Sequence, residues 1–142
     1  MRLEMENGAS HDVTTEADVR SSLAKLNGET NTFAILTSGG ENYVQAAVQK
    51  AGFLVERRSG SFESHRSARV RGSDALTQEI VAEIFSAYLM GRPMPAEVEW
   101  RKVELPAPDS IQAATHSARG YLLLALPFVL LAAILVWRYY PR

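Results

Sequence analysis

The densest set of side chains able to do chemistry lies between positions 56 and 71: Glu56, Arg57 and Arg58, then Glu63, His65, Arg66, Arg69 and Arg71. A carboxylate beside an imidazole is how acid and base pairs are built, and guanidinium groups read carboxylates and phosphates. Alternation along a strand places Glu63 and His65 on one face. A hairpin turning at Ser59-Gly60-Ser61 would set them opposite Glu56 and Arg58. Glu56, Arg58, Glu63, His65 and Arg69 therefore form a candidate binding surface for a protein partner or for anionic headgroups. The plain alternative is a solvated sheet face laced with ion pairs, each contributing about 0–1 kcal/mol. Catalysis ranks behind both, because no nucleophile with an identifiable base accompanies the pair.

Other chemistries find little support. The three histidines, His11, His65 and His116, do not have ligand spacing, and cysteine is absent, so no metal, cofactor or disulfide is expected. Ser38-Gly39-Gly40 follows a strand-like run as phosphate loops do, but no Gly-Lys-Ser follows it, and a hairpin turn is the expected reading. Residues 1–105 carry 12 basic against 15 acidic side chains, net −3, which does not suggest a nucleic-acid binder.

The elements that must position the cluster are legible from periodicity. Residues 1–13 are polar and expected to be flexible. Thr14 and Thr15, followed by Glu16 and Asp18, cap a short helix whose apolar face is Val19, Leu23 and Leu26. Residues 32–70 read as a four-stranded antiparallel meander with turns at Ser38–Asn42, Lys50–Gly52 and Ser59–Ser61. Ser73 or Asp74 caps a second helix in which Leu76, Ile80, Ile84 and Tyr88 form a stripe widened by Val81, Phe85 and Leu89; Gly91 ends it. Glu97 to Leu105 returns as a charged strand suited to a sheet edge. The expected domain, residues 14–105, is α+β: an antiparallel sheet of about five strands with both helices against one face.

Beyond a linker at residues 106–119, Tyr121 to Trp137 reads YLLLALPFVLLAAILVW, a run without a charge. Its length, roughly 26 Å as a helix, approaches the about 30 Å of a hydrocarbon core, so residues 120–138 are expected to form one transmembrane helix, leaving residues 139–142 as a short tail. Tyr121 at one end and Trp137, Arg138, Tyr139 and Tyr140 at the other suit the two membrane interfaces. Pro127 implies a bend, and Ala125, Ala132 and Ala133 offer only a weak small-residue face for pairing with another helix. The N-terminus has no apolar leader, which points to tail-anchored, single-pass topology with a cytoplasmic domain, in the bacterial inner membrane. The flanking charges lean the other way: Arg119 precedes the run, while Arg138 and Arg142 follow it.

The scatter Tyr43-Val44-Gln45-Ala46, Leu54-Val55-Glu56-Arg57-Arg58 with Gly60, then His65, Phe85, Tyr88-Leu89, Gly91, Trp100 and Leu105 resembles small bacterial immunity proteins of polymorphic toxin systems and their uncharacterised relatives. The resemblance covers residues 32–105. It implies a non-catalytic binder that occludes a toxin with a helix-backed antiparallel sheet. The C-terminal apolar run departs from the usual soluble form of such proteins. The expected function is a membrane-held, non-enzymatic protein-binding module. The alternative is a structural or assembly subunit of a membrane complex, held by its C-terminal helix.

Overall fold

The computed structural model describes residues 1–103. In chain order the elements are β1 (Arg2–Met5), β2 (Ser10–Asp12), α1 (Glu16–Leu23), β3 (Phe33–Gly39), β4 (Asn42–Gln49), β5 (Gly52–Ser59), a 3-10 turn (Phe62–Ser64), β6 (Arg66–Val70), α2 (Gln78–Met90) and β7 (Val98–Lys102). The strands form one antiparallel sheet of seven in the order β2-β1-β3-β4-β5-β6-β7. The class is α+β, as expected, with β7 at the sheet edge.

The strand count corrects the expectation of about five, because the segment read as a flexible N-terminus supplies two. Leu3 and Met5 alternate with Arg2 and Glu4, and both apolar side chains are buried, as is Val13. The hairpin closes on Asn7-Gly8. Asn7 Oδ1 accepts from the Ala9 amide at 3.0 Å, and Gly8 adopts φ 82°, a conformation that L side chains rarely take. β1 then pairs with β3, opposing Leu3 to Leu36, and β2 becomes the sheet edge.

Both helices serve one face of the sheet. α1 begins at a reciprocal cap: Asp18 N–H donates to Thr15 Oγ1 (3.2 Å) and Thr15 N–H to Asp18 Oδ2 (3.0 Å). Val19 and Leu23 are its buried residues of the expected stripe; the helix ends at Ala24, ahead of Asn27-Gly28. α2 lies across β4 and β5 and buries Val81, Ile84 and Phe85 against Leu36, Val44, Ala46 and Val55. Its N-cap is Thr77, later than the expected Ser73 or Asp74, because Leu76 is held in a two-bond bridge to Phe53: Phe53 N–H to Leu76 O at 2.9 Å and Leu76 N–H to Phe53 O at 2.8 Å. Gly91 ends the helix in the left-handed conformation at φ 63°.

The Phe53–Leu76 bridge depends on Gly52. At φ 144° this residue takes a backbone conformation unsuited to a side chain, and a Cβ there would sit 2.6 Å from the Leu76 carbonyl oxygen. Gly52→Ala should therefore lower the unfolding free energy by about 1–3 kcal/mol in chemical denaturation. Gly60→Ala serves as the control, since Gly60 has positive φ but open space around it, and it should cost about 1 kcal/mol or less.

Candidate functional site

The hairpin between β4 and β5 organises the site. Its two-residue connection, Lys50-Ala51, fixes the register Tyr43↔Arg58 and Gln45↔Glu56, so these four side chains share the face away from the helices. Glu56 lies centrally on that face, only 8 % exposed. A carboxylate held that far from water is costly unless donors reach it. Two do, on the same oxygen: Gln45 Nε2 at 2.7 Å and His65 Nε2 at 3.2 Å from Glu56 Oε2. The contact assigns the hydrogen to His65 Nε2 in the tautomer that donates to a carboxylate oxygen. The Tyr43 ring meets the imidazole edge-on, with centroids 6.3 Å apart.

Arg58 continues the row, donating to Glu41 Oε2 at 2.6 Å and to the Gly60 carbonyl oxygen at 3.2 Å. Burial pushes the Tyr43 phenol above its ordinary range, and the Arg58 guanidinium beside it offsets part of that rise.

The expected surface residues divide. Glu56, Arg58 and His65 come together as anticipated, but not through the expected cross-strand pairing. Residues 62–64 turn as a 3-10 segment instead of continuing a strand, so the partner of Glu56 on β6 is Ser67. The turn is locked by side-chain bonds to backbone: Ser64 Oγ donates to Ser61 O (2.6 Å) and accepts from Ser59 N–H (2.9 Å). His65 reaches Glu56 from the position just before β6. Glu63 is exposed on the turn, and it is its carbonyl oxygen that accepts from Arg66 Nη1 at 2.5 Å. Arg69 keeps the expected face, yet its guanidinium is drawn toward the β6–α2 connection by the Gly72 carbonyl and by Asp74, 2.6 Å from Nε. Tyr43, Gln45 and Glu41 belong to the site although none is on the candidate surface read from the sequence. Counting residues outward from Lys50-Ala51 would have found the first two.

Among the described residues no group of three or more metal-ligating side chains is placed to hold a metal, and no helix is long and apolar enough to cross a membrane. The residues assigned to the membrane interface, Tyr121, Trp137, Arg138, Tyr139 and Tyr140, lie outside the described residues. A cleft of about 490 Å³ opens elsewhere, between α1, α2 and the loop after α2, where Glu16 and Arg92 already satisfy each other at 2.8 Å. No protein-family model, curated protein or solved structure matches the chain.

The site can hold an imidazole and a carboxylate in one fixed arrangement on an open sheet face. Removing one member should expose the cost of burying the other. Glu56→Ala should destabilise the domain by about 1–3 kcal/mol in denaturant titration. A double-mutant cycle with His65→Ala should return a coupling above about 0.5 kcal/mol, and a coupling of zero would mean the contact is incidental.

The Tyr43 phenol supplies a pH test. A folded pKa raised above the unfolded value of about 10 means its stabilising contribution is complete below that pH and is lost as pH climbs through the raised value. Difference absorbance between the wild type and Tyr43→Phe should show a late-ionising phenol, and Arg58→Gln should delay it further.

Proposed function

We propose that this chain is a non-enzymatic protein-binding module held at a membrane by the apolar run at residues 121–137, with the helix-free face of the sheet as its recognition surface. The observation that carries the reading is the fixed Glu56 carboxylate, buried in the middle of that face under Gln45 and His65 and flanked by Tyr43 and Arg58. Side chains already locked by one another lose little freedom when a partner docks, which favours specific binding. Tyr and Arg are also the residue types that dominate interface energetics. The sharpest form of the reading is an immunity-type inhibitor that covers a toxin's working surface, with the domain on the cytoplasmic side of a bacterial inner membrane. The competing reading is an assembly subunit whose specific contacts lie in the apolar run itself.

Affinity capture from detergent extracts separates them. The full chain and a form lacking residues 120–142 are compared, and any captured protein is then purified and titrated against the wild type and the Tyr43→Ala and Arg58→Glu variants. The module reading expects the shortened form to retain the partner, and each substitution to weaken binding by roughly tenfold or more. Loss of the partner on shortening, with both substitutions neutral, would instead support the assembly subunit.

A further inference from the structure

The sheet carries a second charged feature on its other face. Cross-strand register runs one row from the core outward: Leu3, Leu36, Val44, Arg57, Arg66, Lys102. Its first three members are fully buried. α2 packs over β4 and β5, and the last three members of the row, Arg57 on β5, Arg66 on β6 and Lys102 on β7, are cations, none of them buried. Like charges directly opposite each other on adjacent strands repel. Partial burial first, and the neighbouring Arg66 charge second, hold the Arg57 guanidinium below its ordinary pKa. Among the described residues none of the three cations has a carboxylate within ion-pair distance.

Arg57 instead stacks over the Trp100 ring, 4.3 Å from its centroid. The buried Trp100 indole N–H has no hydrogen-bond partner among the described residues. The corner is thus rich in positive charge, without a carboxylate partner among the described residues, and braced by a stacked aromatic.

We infer that the Arg57–Arg66–Lys102 row is a docking site for anionic phospholipid headgroups, which seats the domain on the membrane with its helix-free face turned away toward the protein partner. The inference rests on the membrane-held reading above. Arg66 Nη1 donates to the Glu63 and His65 carbonyl oxygens, which leaves its positive charge unneutralised. Phosphodiester oxygens complement three cations without a carboxylate partner among the described residues, and Arg in particular meets phosphate in a two-pronged geometry. Position selects lipid over other polyanions: Lys102 is followed after eighteen residues by the uncharged run that starts at Tyr121. At no more than about 3.3–3.6 Å per residue, that connection keeps the corner within several tens of ångströms of the headgroups. The net −3 of residues 1–105 opposes nonspecific binding to an anionic surface and leaves the cationic corner as the part that can approach it.

The test uses the full chain carrying Trp137→Phe, which leaves Trp100 as its only tryptophan. The protein is reconstituted into vesicles of phosphatidylcholine alone or with phosphatidylglycerol, each doped with a lipid bearing a nitroxide on its headgroup. Trp100 fluorescence should be quenched more strongly on the anionic vesicles, and the excess should fade as ionic strength rises. In Arg57→Gln/Arg66→Gln/Lys102→Gln the docking equilibrium should fall on the order of a hundredfold, at about a factor of five per cation. Quenching indifferent to lipid charge in the unsubstituted row overturns the inference, and needs no variant to fold. So does a triple variant quenched like its parent, and so does displacement by polyglutamate together with indifference to lipid charge, which would assign the corner to an acidic protein segment.

Flotation with pure phosphatidylcholine vesicles tests membrane holding separately, since the row has no net charge to meet there. If the chain fails to float, the membrane-held reading falls. The anionic vesicles must then still recruit the parent chain and not the triple variant, or the headgroup assignment falls as well.

Discussion

The register of the β4–β5 hairpin decides where each charge of Glu56-Arg57-Arg58 goes. Three consecutive ionisable residues on a strand must alternate between faces, and a slip of one residue would exchange them all. Lys50-Ala51 permits one pairing, Gln49 with Gly52 and onward to Asn42 with Ser59. Glu56 and Arg58 then face away from the helices while Arg57 faces the helical side. Gly52 is fixed in turn by the Leu76 backbone at the start of α2, so the hairpin and the main helix hold each other's position.

From that constraint comes a sheet with two unlike surfaces. On one, a carboxylate sits nearly out of water within hydrogen-bond reach of Gln45 and His65, whose bonds offset the desolvation cost of its burial. On the other, one core row ends in three cations, and Arg57 is stabilised by the Trp100 ring instead of by an acid, a contact worth about 0.5–2 kcal/mol. A protein partner on the first surface and a lipid surface on the second could be engaged together, because the two lie on opposite sides of the same strands.

Much of this was legible in the sequence because the relevant periods are strong. The stripe from Ile80 to Leu89, the Gly91 stop, the alternation from Phe33 through Arg58 and the charged edge strand at Val98–Lys102 all appear where the pattern places them. The N-terminal hairpin was not read, since only Leu3 and Met5 point inward and a pattern that short has little weight; Asn7-Gly8 was its one direct signal. The Phe62–Ser64 turn was missed for a different reason: its residues alternate as a strand would, and what diverts them is serine bonding to nearby backbone, which periodicity does not register. The same turn explains why His65 joins Glu56 and Glu63 does not. Arg57 belongs to the cluster read from the sequence but not to the candidate surface, because alternation turns it to the opposite face and its contact with Trp100 of β7 depends on tertiary packing alone.

Nuclear Overhauser contacts between backbone protons across β4, β5 and β6 test the central claim most directly, since they report paired residues without altering any side chain. The structure predicts a continuous ladder that opposes Gln45 to Glu56, Val44 to Arg57 and Arg57 to Arg66. A ladder offset by one residue, opposing Gln45 to Arg57, would bring Arg57 to the helix-free face, move Glu56 to the helical side, and contradict both surfaces described above.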